Sequence, residues 1–64
     1  MIKNRLKEFR ELRGISQEEL SERSGLSRTT ISKIENNEEI NVNIKTVAKI
    51  AAVFDVAPSE IFLL

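Results

Sequence analysis

Apolar residues recur at three- and four-residue spacing along nearly the whole chain, and no four-residue stretch alternates apolar and polar positions as a half-buried strand would. Ile2, Leu6, Phe9 and Leu12 form a first helical stripe, with Gly14 as its stop. Ser16 and Glu19 make an S-x-x-E capping box that starts a second helix around Leu20, and Gly25 ends it. Ser27 caps a third helix whose apolar members are Ile31 and Ile34. Asn36 and Asn37 close it, asparagine being the next residue after glycine to tolerate a left-handed stop. Asn43 caps a fourth helix bearing Ile44, Val47, Ile50, Ala51 and Phe54, and Pro58 suits the first turn of a short fifth with Ile61 and Phe62. The pattern predicts an all-α fold of five helices in one domain, residues 1–64.

The interruption at Gly25 is the feature a simple core does not require. Glycine takes a left-handed conformation without a Cβ penalty, so the chain can turn sharply there between two rigid helices. The third helix offers little to a core: Ile31 and Ile34, with Leu26 just ahead of it. On a 3.6-residue period, Arg28, Thr29, Ser32, Lys33 and Asn36 share the opposite face. That face holds two cations, two hydroxyls and an amide, and no carboxylate, in a chain with ten acidic residues. These are the side chains that donate to base edges and to phosphates. Taken alone, the same helix also reads as a small polar surface.

Composition narrows the choice. A domain of 64 residues buries only about 60% of the surface its unfolded chain exposes, leaving little room for an enclosed substrate pocket. With no Cys and no His, thiol chemistry, disulfides and the commonest zinc ligands are absent. Neither a metal, nor a cofactor, nor an enzymatic activity is expected. No apolar run approaches the ~20 residues of a membrane span, and MIKNRLKEF lacks the apolar segment of a secretory signal. A soluble cytoplasmic protein is the expectation. Net charge is zero, but residues 1–34 carry eight cations against five carboxylates, and residues 35–64 carry two against five. Such asymmetry suggests an electrostatic partner on one side.

The stretch SQEELSERSGLSRTTISKIEN resembles the helix-turn-helix of the Cro/repressor-like proteins, the xenobiotic-response-element (XRE) family. Its most specific elements are G-I-S-Q-E-E-L, S-G-L-S and T-I-S-K-I-E-N. LKEFRELRGISQEEL is similar to the family's first helix, turn and second helix, and VAKIAAVFDVAPSEIF to its fourth and fifth, so nearly the whole chain is covered. The resemblance implies a compact five-helix, lambda-repressor-like domain with the helix-turn-helix at helices 2 and 3, the third helix lying in the major groove of double-stranded DNA. It implies base reading by Arg28, Thr29, Ser32 and Lys33, and DNA-backbone contacts from Gln17, Thr30, Asn36 and Asn37. Thr30 has a local alternative, bonding its own helix start. Arg10 and Glu35 are implied as an internal ion pair that clamps the recognition helix. The leading expectation is a transcriptional regulator, most simply a repressor, reading a palindromic operator as a homodimer. The rivals are an antitoxin or controller protein whose main partner is another protein, and a pure interaction module.

Two features depart from the family pattern. The loop NNEEINVN is slightly long, has Asn37 where the family usually has Gly, and carries Glu38 and Glu39 where relatives often place Lys or Arg. Either that loop points away from DNA or affinity is modest, and a shallow salt dependence is expected. Self-association is expected at the apolar C-terminal region. Ile61, Phe62, Leu63 and Leu64 form the candidate interface, with Val53, Val56, Ile40 and Val42 nearby in the pattern.

Overall fold

The computed structural model describes residues 3–38 and 42–63. Five helices follow one another: α1 (Leu6–Leu12), α2 (Gln17–Ser24), α3 (Arg28–Glu35), α4 (Ile44–Phe54) and α5 (Pro58–Ile61). Two two-residue strands, β1 (Lys3–Asn4) and β2 (Phe62–Leu63), pair antiparallel, with Lys3 opposite Leu63 and Asn4 opposite Phe62. The five-helix expectation holds. The strand pair is an addition, too short to leave an alternating pattern in the sequence.

Local chemistry sets the helix starts. Ser16 Oγ accepts from Glu19 N–H at 3.0 Å, Ser27 Oγ from Thr30 N–H at 3.1 Å, and Asn43 Oδ1 from Thr46 N–H at 2.9 Å. The box at Ser16 is half made, because the Glu19 carboxylate pairs with Arg23 one turn on. The returning half appears on α5, where Ala57 N–H donates to the Glu60 carboxylate at 2.9 Å.

Left-handed residues make the stops: Gly14, Gly25, Asn37 and Asp55 have φ of 68°, 76°, 58° and 55°. At Asn37 the closure is double, with Asn37 N–H on the Ile34 carbonyl at 3.1 Å and Glu38 N–H on that of Lys33 at 3.0 Å. Asp55 closes α4 the same way, through Val56 N–H on the Ala51 carbonyl at 3.2 Å. It is the least suited of the four, since a negative charge opposes the dipole at a helix C-terminus. Asp55→Asn removes that charge and keeps the tolerance for left-handed backbone. A gain of about 0.3–1 kcal/mol in urea denaturation is expected, and a loss would show that the carboxylate makes a favourable contact.

The core is Leu6, Leu20, Ile31, Ile34, Ile50, Ala51, Phe54, Ile61 and Phe62, so every helix contributes. The packing runs α1 on α3, α2 on α3 and α4, and α4 on α5. Phe9 meets Phe54 edge-on with ring centroids 5.9 Å apart.

Two expectations about apolar residues are corrected here. Leu12, assigned to the α1 stripe, is 80% exposed. Six residues beyond Leu6, it points about 120° away from that residue around the helix. The C-terminal interface changes more. Ile61 and Phe62 are fully buried in this chain's own core, because the β1–β2 pairing and Arg5 N–H on the Ile61 carbonyl (2.7 Å) fold the segment back. Their side chains are not available to a partner. Val42, Val53 and Val56 pack partly buried against the same core. Leu64, Ile2 and Ile40 lie outside the described residues.

Candidate nucleic-acid interface

The corner between α2 and α3 is held by α2 itself. Gly25 N–H closes on the Ser21 carbonyl at 2.9 Å with the backbone left-handed, as the sequence requires of a glycine there. The next residue, Leu26, has both backbone groups satisfied from behind. Its N–H donates to Ser24 Oγ at 3.2 Å, and its carbonyl accepts from the Ser21 hydroxyl. The angle at which α3 leaves α2 is therefore fixed by two serines that the sequence reading did not single out. The available signal was their three-residue spacing in the last turn of a helix, where hydroxyls bond local backbone.

A polar clamp fixes α3 from its other end. Arg10 Nε donates to Glu35 Oε2 at 2.7 Å and Nη2 to Oε1 at 3.2 Å, a two-pronged pair. Arg10 Nη1 donates to the Ile15 carbonyl at 3.0 Å, and Gln17 Nε2 donates to Glu35 Oε1 at 3.1 Å. One guanidinium thus ties α1, the α1–α2 turn and the end of α3, with the start of α2 joined through Gln17. The side chains of Arg10 and Glu35 are 13% and 3% exposed, so the pair is largely out of water. The hydrogen bonds that Arg10 donates to Glu35, together with the charge of that carboxylate, hold the guanidinium above its ordinary value against the opposing effect of burial. A raised value means that the contribution of the guanidinium is complete below its ordinary range and is lost as pH rises into strong base.

In front of this frame is an open depression of about 550 Å³ lined by Gln17, Arg28, Thr29, Ser32, Lys33 and Glu38. All four residues expected to read bases are brought together there, with Gln17 beside them. Arg28, Thr29 and Lys33 are exposed, and neither cation has an ion-pair partner among the described residues. Gln17 uses one amide hydrogen on Glu35, which leaves the second for another acceptor. The remaining backbone candidates are placed differently. Thr30 Oγ1 lies 2.9 Å from Ser27 Oγ, the local capping alternative, and outside the lining. Asn36 Nδ2 donates to Ser32 Oγ at 3.4 Å, and Asn37 Oδ1 accepts from Asn4 Nδ2 at 3.3 Å; both are exposed residues outside the lining. Glu38 joins the depression, while Glu39 lies outside the described residues. Among the described residues no cluster of metal-ligating side chains forms, and no helix is long and apolar enough to cross a membrane.

The helix-turn-helix family model matches residues 6–61, from the start of α1 to the end of α5. The chain belongs to the helix-turn-helix family. Within that family it is 39% identical over 57 residues to the transcriptional regulator SinR of Bacillus subtilis, a match covering 89% of this chain and 51% of SinR. The chain thus spans about half the length of that relative. It is also 39% identical over 62 residues to an HTH-type transcriptional regulator of Methanocaldococcus jannaschii, covering 97% of this chain and 92% of the relative. Among solved structures, the restriction-modification controller protein C.AhdI from Aeromonas hydrophila superposes with a TM-score of 0.81 at 38% identity, covering 88% of this chain and 83% of C.AhdI. The N-terminal DNA-binding domain of SinR does so with 0.77 at 37% identity, covering 84% of this chain and 78% of that domain.

Proposed function

We propose that this domain binds double-stranded DNA for a transcriptional regulator, most simply a repressor, with α3 in the major groove. The supporting observation is the carboxylate-free face of α3, where Arg28, Thr29, Ser32 and Lys33 line one depression in front of a buried clamp. Arg28 and Thr29 sit in the first turn of α3, the end of a recognition helix that reaches base edges. Gln17, at the start of α2, is proposed to hold a phosphate with its second amide hydrogen and first-turn N–H. Asn36 and Asn37, exposed past the end of α3, are further phosphate candidates, and the Thr30 hydroxyl serves the cap first.

A homodimer reading two half-sites about one DNA turn apart is the proposed assembly. Leu63 and Leu64 are the remaining C-terminal candidates for its contact, since Ile61 and Phe62 are core. A second reading, a restriction-modification controller protein, draws on the likeness to C.AhdI.

Selection from a random duplex pool tests the proposal. Enrichment of a palindrome with guanine under Arg28 is the expected result, and no enrichment at low salt would refute DNA reading. With zero net charge, the selected site should show a salt slope equivalent to fewer than about eight neutralised phosphates. A steeper slope would mean the acidic loop stays clear of the duplex.

A further inference from the structure

One negative group lies among the side chains lining the α3 depression. Glu38 shares it with Arg28 and Lys33, is exposed, and has no side-chain hydrogen bond or ion pair among the described residues. Its backbone is held in place. Glu38 N–H is bonded to the Lys33 carbonyl at 3.0 Å, immediately after left-handed Asn37. Asn4 secures the same corner, donating from Nδ2 to the Ile34 carbonyl at 2.8 Å and to Asn37 Oδ1 at 3.3 Å. The Cα of Glu38 cannot swing clear without unmaking the end of α3.

A recognition helix offers its N-terminal residues to base edges, so the residues past its C-terminus meet the wall of the groove, which is phosphate. We propose that Glu38 is an affinity-limiting residue of the DNA interface, its carboxylate set against a backbone phosphate of the bound duplex. Since this rests on the DNA-binding reading, the measurement must separate the two. Two like charges about 4 Å apart in water repel enough to weaken binding about fivefold. The exposed side chain can turn outward, so about fivefold for each half-site is the upper limit for removing it. Salt screens the repulsion and shrinks the effect. The carboxylate also opposes the dipole at the end of α3, so replacing it leaves the fold intact.

Glu38→Gln and Glu38→Lys, compared with the unsubstituted chain by fluorescence anisotropy, provide the test. The probes are the duplex selected from the random pool and a duplex of random sequence. Glu38→Gln is expected to bind the selected duplex up to about fivefold tighter per half-site at ~0.05 M salt, with the gain shrinking towards ~0.3 M. Glu38→Lys is expected to bind tighter again, with a salt slope steeper by about 1 per half-site. Thermal melting should not fall in either. Equal affinities for all three proteins would overturn the inference, because Glu38 would then face solvent in the complex. Weaker binding by Glu38→Gln, with relaxed preference at one base pair, would overturn it in favour of a contact to a cytosine amino group. If none of the three binds either duplex at low salt, the DNA-binding reading fails and the inference with it.

Discussion

Arg10→Met is expected to lower folding stability by about 3–5 kcal/mol, leaving much of this small domain unfolded at 25 °C. The substitution keeps an unbranched apolar stem and removes the guanidinium. Glu35, whose side chain is 3% exposed, then keeps a buried carboxylate with Gln17 as its remaining donor among the described residues. The Ile15 carbonyl loses its partner in the same step. An exposed pair of the same composition would be worth under about 1 kcal/mol, so the burial of the pair decides the magnitude. Urea denaturation followed by helical circular dichroism measures it. A loss below about 1 kcal/mol would show that water reaches the pair.

Arg10→Met combined with Glu35→Leu sharpens the test. With no charge left to strand, the double variant should recover most of the lost stability, as buried pairs replaced by apolar residues often do. Failure to recover would mean that the Arg10 bond to Ile15, rather than the ion pair, carries the effect. Any weakening of DNA binding by Arg10→Met should follow the unfolded fraction and disappear when binding is referred to the folded fraction.

The difference between what the sequence announced and what it concealed follows the range of each interaction. Caps at Ser16, Ser27 and Asn43, and stops at Gly14, Gly25 and Asn37, were legible because each depends on one residue type and a bond three to five residues away. The α3 face was legible for the same reason, since the helical period fixes it once the boundaries are known. Asp55 was not, because aspartate rarely serves as a left-handed stop. Gln17 on Glu35, Ser24 on Leu26 and Asn4 on Ile34 were not announced either; two of these join positions distant in sequence, and only the fold brings them together. The residues IF before the end looked like a partner surface, since hydrophobicity alone cannot distinguish an apolar segment that covers its own core from one that awaits another chain. The two-residue ladder with Lys3 and Asn4 makes that distinction.

Arg28→Ala is expected to weaken binding to the selected duplex by about 1–3 kcal/mol, roughly 5- to 150-fold, with folding stability unchanged. Arg28 is exposed and is the first residue of α3, where a cation gains nothing from the helix dipole and alanine is a good helix former. It therefore complements Arg10: one arginine affects binding at constant stability, the other affects stability and only thereby binding. Whether Arg28 reads a base or holds a phosphate is separated by Arg28→Lys, which keeps the charge and loses the planar two-pronged donor. A phosphate contact should survive that change with a similar salt slope, whereas a guanine contact should lose most of its discrimination. Replacing the guanine under Arg28 closes the cycle. If the contact is real, that base change should cost the unsubstituted chain about 1–3 kcal/mol and cost Arg28→Ala almost nothing, because the coupling between side chain and base is already gone. Independent losses that simply add would assign the guanine preference to another residue, with Lys33, exposed on the lining of the same depression, the first to examine.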